Sequence, residues 1–197
     1  MEGERVKKIL VIVANPNEES FSFAIANTYI ETSIAQGDSV ELVDLYRSEH
    51  PQPFFTFDPK ISAEQAASRK LFQEKIAKAD ELVFIFPYWW GSAPAILHNF
   101  IDWNFSRGFA FHYVNSRPKG LLKGKSVRIF TTTGAPSFFY ALTGANRRLK
   151  HTFKQQIIAF CGMELKSFNS FGGMDNKSKK LAGVLEKVRQ IASALDQ

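Results

Sequence analysis

Residues 81–97 read ELVFIFPYWWGSAPAIL, and their reading decides the architecture. LVFIF is an unbroken apolar run, the pattern of a strand covered on both faces. Pro94 suits the first turn of a helix, and AILHNFIDWNF continues with apolar residues at helical spacing. Between strand and helix stand Trp89 and Trp90, which point to opposite sides of an extended chain, and then the nearly bare Gly91, Ser92 and Ala93. One indole is expected to pack inward while its neighbour walls a planar pocket, with open backbone amides beside it.

Working outward, the same strand-then-helix unit recurs. Strands are expected at VKKILVIVA (6–14), SVELVDLY (39–46), ELVFIFPYW (81–89), SVRIFTTTG (126–134) and MELKSFNSF (163–171). The second alternates apolar with polar and belongs nearer a sheet edge. Ser20 to Gln36 reads as a helix closed by Gly37. Ser62 to Asp80 opens on a Ser62–Gln65 capping-box spacing and carries Leu71, Phe72, Ile76 and Ala79 on one face. The segment from about Ser137 to Phe160 is mixed. The last helix shows Leu181, Val184, Leu185, Val188, Ile191 and Leu195 at helical spacing. HPQPFFTFDPK (50–60) is a surface excursion too aromatic for idle coil.

Five such units predict an α/β fold: a single domain over 1–197, doubly wound, with a five-stranded parallel sheet in the order 2-1-3-4-5 and helices on both faces. The ligand of such a sheet sits outside the carboxyl ends of strands 1 and 3, where the winding reverses. NPNEESFS, PYWWGSAP and TTTGAPSFFY should meet there.

Composition removes several function classes. The chain has 197 residues, 45% of them hydrophobic, enough for one sizeable core. ILVIVA and LVFIF are far too short to span a bilayer, and Asn15 and Pro16 break any signal-type segment early, so a cytoplasmic protein is expected. Cys161 is the one cysteine and, within IIAFCGM, reads as a small buried apolar residue. His50, His98, His112 and His151 lie far apart, so no metal is expected. The net charge of +6 is scattered over helix faces, without a recognition helix, and nucleic acid is not an expected partner.

The loops carry the chemistry. Ser20 is on its plainest reading a helix N-cap; with Ser22 and the free amides it also forms a phosphate seat. The loop has neither the glycines of a dinucleotide fingerprint nor the lysine of a P-loop, and no GxSxG elbow supports a hydrolase. Thr132, Thr133 and Gly134 can hydrogen-bond the edge of a flat heterocycle. A flat, phosphorylated, redox-active ligand fits all three loops: a flavin nucleotide.

ANPNEESFS, FPYWWGSAPAIL with its downstream FIDWNFSRGFAF, and TTTGAPSFFY followed by FCGM resemble the NAD(P)H:quinone oxidoreductase family, the flavodoxin-like quinone reductases that include the DT-diaphorases. The resemblance runs in order from about residue 8 to residue 175. It implies a flavodoxin-like fold and a homodimer with shared active sites. Asn15, Ser20, Phe21 and Ser22 match the first cofactor-binding segment. Pro87, Tyr88, Trp89, Trp90 and Gly91 match the segment beneath the isoalloxazine, and Thr132, Thr133 and Gly134 the loop at its pyrimidine edge. Tyr140 falls on the family's catalytic tyrosine, while Trp90, Phe111, Tyr113 and Tyr140 line the substrate pocket, Phe111 and Tyr113 being lent by the partner subunit.

Two residues depart from the family. Asn15 replaces a histidine in the first loop, and Asn146 stands where the DT-diaphorases carry a second catalytic-site histidine. An amide donates a hydrogen bond but takes up no proton, so proton supply falls to Tyr140 or water. The implied function is ping-pong transfer from NADPH or NADH to flavin and then to a quinone or similar flat acceptor. FAD is the expected flavin, because the 50–60 excursion could line an adenosine arm, with FMN the alternative. Two other roles remain open from sequence: a flavin-bearing ancillary subunit of a membrane transporter, and a flavodoxin-type electron carrier.

Overall fold

A computed structural model describes residues 6–58, 60–174 and 179–194. Its elements in chain order are β1 (Lys8–Val13), α1 (Phe21–Ala35), β2 (Ser39–Asp44), α2 (Ala63–Lys78), β3 (Glu81–Pro87), α3 (Ala95–Asn104), β4 (Phe111–Val114), β5 (Arg117–Gly120), β6 (Ser126–Thr133), α4 (Ser137–Leu142), α5 (Ala145–His151), a π-helix (Thr152–Ile158), β7 (Glu164–Gly172) and α6 (Lys179–Ser193).

The sheet order is β2-β1-β3-β6-β7, with every neighbouring pair parallel. This is the expected 2-1-3-4-5 winding, because β4 and β5 form a separate antiparallel hairpin. Every residue of β3 and of β6 is buried, as continuous apolar strands between two helical layers must be. Side chains alternate between two cores. Leu10, Ile12, Leu82, Phe84, Phe86, Val127 and Ile129 face one, which α2, α3 and the π-helix cover with Phe72, Ile76, Leu97, Phe100 and Phe153. Ile9, Val11, Val13, Val83, Ile85 and Phe130 face the other, which α1 and α6 cover.

Local signals hold where expected. Ser62 and Gln65 form both hydrogen bonds of a capping box, and Gly37, at φ 90, ends α1. Phe72 and Ile76 on α2, and Ala79 just past its end, are buried; on α6, Val188 is fully buried, with Leu181, Val184, Leu185 and Ile191 packed around the same core. Leu195 lies outside the described residues.

The start of β3 is anchored by a buried polar cluster. Glu81, wholly buried, accepts hydrogen bonds from Lys7 Nζ (2.9 Å), Ser126 Oγ (3.1 Å), Arg128 Nε (3.0 Å) and the Tyr29 hydroxyl. Among the described residues no helix is long and apolar enough to cross a membrane.

Candidate active site

Strand register places three loops side by side. β1 pairs with both β2 and β3, which is where the winding reverses, and Val13 lies opposite Ile85 while Pro87 lies opposite Thr132. The loops after β1, β3 and β6 therefore leave adjacent strands at one end of the sheet. The Tyr88 amide donates to the Thr132 carbonyl (2.8 Å), and the Tyr88 and Tyr140 rings meet edge to face at 5.2 Å between centroids. This contact joins the second loop to the third.

The first loop is prefolded by asparagines. Asn15 Oδ1 accepts from the Asn17 amide (3.0 Å), Asn15 Nδ2 donates to Ser22 Oγ (3.1 Å), and Asn17 Oδ1 accepts from the Glu19 amide (3.0 Å). The Asn15 and Ser22 side chains are thus turned inward. Ser20 occupies the N-cap of α1 with extended backbone, yet its hydroxyl makes no cap hydrogen bond, is buried, and has no hydrogen-bond partner among the described residues. A hydroxyl removed from water without a partner costs about 1–3 kcal/mol. It sits beside the free amides of a fifteen-residue helix with no acidic residue in its first turn, where an anion is favoured. That orphaned hydroxyl is what a phosphate would satisfy.

Arg47 completes this corner. It pairs with Glu18 (2.8 Å) and Asp44 (2.8 Å), bonds the Pro16 carbonyl, and lies over the Phe23 ring. Sequence reasoning missed it. Its signal is positional: an arginine just beyond strand 2 borders the first loop once the order is 2-1-3.

The second loop corrects one expectation. Neither indole packs inward: Trp89 is 41% exposed and Trp90 fully so. The chain does not stay extended here. Trp89 and Ser92 exchange backbone hydrogen bonds (2.9 and 2.8 Å), and Trp90 and Gly91, at φ 50 and 81, fill the two positive-φ positions between them. Such positions suit glycine or asparagine, and an L-residue there costs about 1–2 kcal/mol. Trp90 thus combines strained backbone with a ring left in the open. Ser92 Oγ lies 2.8 Å from His98 Nε2 on α3, a contact that spacing along the sequence does not suggest.

In the third loop Thr132 and Thr133 are buried and Gly134 exposed. The Thr133 hydroxyl donates to the Ala135 carbonyl (3.0 Å). α4 then displays Phe138 and Phe139, both exposed, their ring centroids 4.0 Å apart and the planes tilted by 34°. A cleft of about 480 Å³ opens beside them, lined by Tyr140, Thr143, Gly144, Asn146 and Arg147. Asn146 Oδ1 accepts from Ser170 on β7 (3.1 Å), so this amide ties α5 to the sheet.

Phe111 and Tyr113 stand apart. α3 carries the chain about 15 Å back from the loops before the β4–β5 hairpin begins. Phe111 packs on Tyr113 (5.9 Å) and Phe160 (4.8 Å), beside an apolar groove of about 550 Å³ that also includes Phe55 and Phe57. The 50–60 excursion folds onto α3: Pro53 O accepts from Trp103 Nε1 (2.6 Å) and Asn99 Nδ2 (3.1 Å), and Phe55 meets the Trp103 ring at 5.2 Å.

Comparison with known proteins agrees with this arrangement. The sequence profile described as flavodoxin-like fold matches residues 7–195. An uncharacterised NAD(P)H oxidoreductase of Haemophilus influenzae is 33% identical over 184 residues, 87% of this chain and 88% of its own. The ribosyldihydronicotinamide dehydrogenase (quinone) of Mus musculus is 28% identical over 197 residues, 88% of this chain and 85% of its own. An FMN-dependent NADH:quinone oxidoreductase of Halalkalibacterium halodurans is 25% identical over 175 residues, 81% and 83% of the two chains. Among solved structures, Smu.1420 from Streptococcus mutans superposes with a TM-score of 0.79 at 31% identity, over 94% of this chain and 98% of that one.

Proposed function

The chain belongs to the flavodoxin-like fold family of NAD(P)H oxidoreductases and quinone reductases, and from that premise we propose that it is a flavin-dependent NAD(P)H:quinone oxidoreductase working by ping-pong transfer. The observation that carries the reading is the conjunction at one sheet end of an unpartnered Ser20 hydroxyl and a strained turn holding Trp90 in solvent. One feature asks for a phosphate, the other for a flat ring.

Bound flavin supplies the two-electron chemistry between a nicotinamide and a flat acceptor. The chain's own residues do the rest. The Ser20 hydroxyl and the first amides of α1 hold the phosphate. Trp89 and Trp90 wall the ring, and Gly91 lets its edge approach the main chain. Thr132, Thr133 and Gly134 border the opposite edge. Tyr140, braced by Tyr88, would donate a hydrogen bond where charge develops on the ring; because Asn15 and Asn146 take up no proton, the proton would come from Tyr140, itself resupplied by water, or from water directly. Phe111 and Tyr113, a helix length from their own chain's loops, serve the slot of a second copy, so the working unit is a homodimer. Their closure over the ring excludes water and strengthens the polar contacts beneath.

FMN is preferred here to the FAD expected from the 50–60 excursion. That segment is folded against α3 through Pro53 and Phe55, and an FMN-dependent oxidoreductase is among the relatives. Mass spectrometry of the chromophore released on heating identifies the nucleotide, FMN being expected. Initial rates with NAD(P)H and menadione should give parallel double-reciprocal lines, and light scattering should give twice the chain mass. A colourless protein that neither takes up flavin nor reduces menadione contradicts the proposal.

A further inference from the structure

The turn that presents the tryptophans is held from behind by two polar side chains. Ser92 closes the turn through its backbone, and its hydroxyl oxygen lies 2.8 Å from His98 Nε2. His98 is half-buried in the first turn of α3. The π-helix packs the Phe153 ring near it, centroids 6.4 Å apart, and Asp102, four residues further along α3, is the charged group that faces it. Burial lowers the imidazole's affinity for a proton and Asp102 partly restores it.

A serine against an imidazole has two hydrogen-bond states. In the neutral tautomer that carries its proton on Nδ1, Nε2 accepts from Ser92 and the hydroxyl presents only lone pairs elsewhere. In the protonated ring both nitrogens donate. Ser92 Oγ then accepts from Nε2, and its own hydrogen is free to turn toward the ligand shelf.

We propose that His98 is a positioning residue of the flavin shelf, its protonation switching the Ser92 hydroxyl from acceptor to donor toward the isoalloxazine. The inference rests on the flavin reading above. The ring's carbonyl edge accepts hydrogen bonds, so the donor state binds it better. Ring binding and His98 protonation then favour each other by the same factor, about three- to tenfold for one added hydrogen bond.

The test is a fluorescence titration of the protein with FMN from about pH 5 to about pH 8, on wild type, His98→Gln and Ser92→Ala. Glutamine keeps an amide beside Ser92 but does not titrate. The phosphate of FMN titrates in the same range, and the His98→Gln profile takes that contribution out of the comparison. As pH falls, wild-type affinity should rise about three- to tenfold relative to His98→Gln, and Ser92→Ala should lose the rise. The His98 Hε1 resonance should also titrate at higher pH with FMN bound than without. Tight FMN binding with identical pH profiles in wild type and His98→Gln overturns the proposal and leaves the flavin reading standing. Failure of both FMN and FAD to bind at any pH overturns both. Should His98→Gln fail to fold, the wild-type resonance decides alone: an unchanged titration on binding is the contrary result.

Discussion

At the scale of single residues, strain and exposure single out Trp90, the ring wall of the proposed flavin shelf. Its φ of 50 and full exposure give the folded chain nothing in return, so Trp90→Gly should leave unliganded stability unchanged or raise it by up to about 1 kcal/mol. The same change removes a stacking partner of about 0.5–1.5 kcal/mol, so FMN affinity should fall up to about tenfold. Thermal melts and fluorescence titration of one variant check both halves. Cys161 makes the opposite case. Burial pushes its thiol up to about 12, and the side chain is 3% exposed, so the thiolate that reacts with alkylating agents is nearly absent below pH 9. Iodoacetamide should label it only after denaturant is added; rapid labelling of the native protein would show this reading to be wrong. The sequence made Cys161, the tryptophan pair and Ser20 legible because composition or spacing marks them. Arg47 and His98 stayed hidden, since each matters only through neighbours 31 residues away (Pro16) or across a turn (Ser92).

Among the elements, β3 bears the most. It is buried along its whole length, and Glu81 at its start joins Lys7, Tyr29, Ser126 and Arg128. Glu81→Ala removes the carboxylate these donors share and should cost about 3–5 kcal/mol in denaturant unfolding; a loss below about 1 kcal/mol would show the cluster to be incidental. The β4–β5 hairpin depends on a close backbone approach. A Cβ at Gly120 would stand 2.1 Å from the Gly162 nitrogen, so Gly120→Ala must push the hairpin from the turn after the π-helix. It should lower quinone turnover, through displaced Phe111 and Tyr113, more than FMN affinity; equal losses would contradict their place in the substrate pocket. β1 and β3 were readable because both their faces are covered and their apolar runs are unbroken, and β6 because its β-branched and aromatic residues favour a strand even though Arg128 interrupts the run. The hairpin was not: RPKG has a proline, a glycine and no alternation, so tertiary packing rather than local preference makes it a strand. The stretch from about Ser137 to Phe160 read as mixed because two short helices meet at Gly144 and a π-helix, which widens the helical period, follows them.

For the molecule as a whole, sheet order was legible because crossover handedness and strand burial leave few alternatives. The open shelf was not. Sequence suggested a slit with one indole sealed inside, whereas one chain leaves Trp90 bare and sets Phe111 and Tyr113 a helix away. In the proposed dimer, a second copy and a bound ring would together cover what the single chain exposes. The central claim, that this shelf holds a flavin reduced by a nicotinamide nucleotide, is tested most directly by anaerobic stopped-flow mixing of the flavin-loaded protein with NADPH or NADH. The account predicts that the visible flavin absorbance bleaches within the turnover time and returns when menadione is added. An absorbance that stays unchanged with either nucleotide in large excess would contradict it.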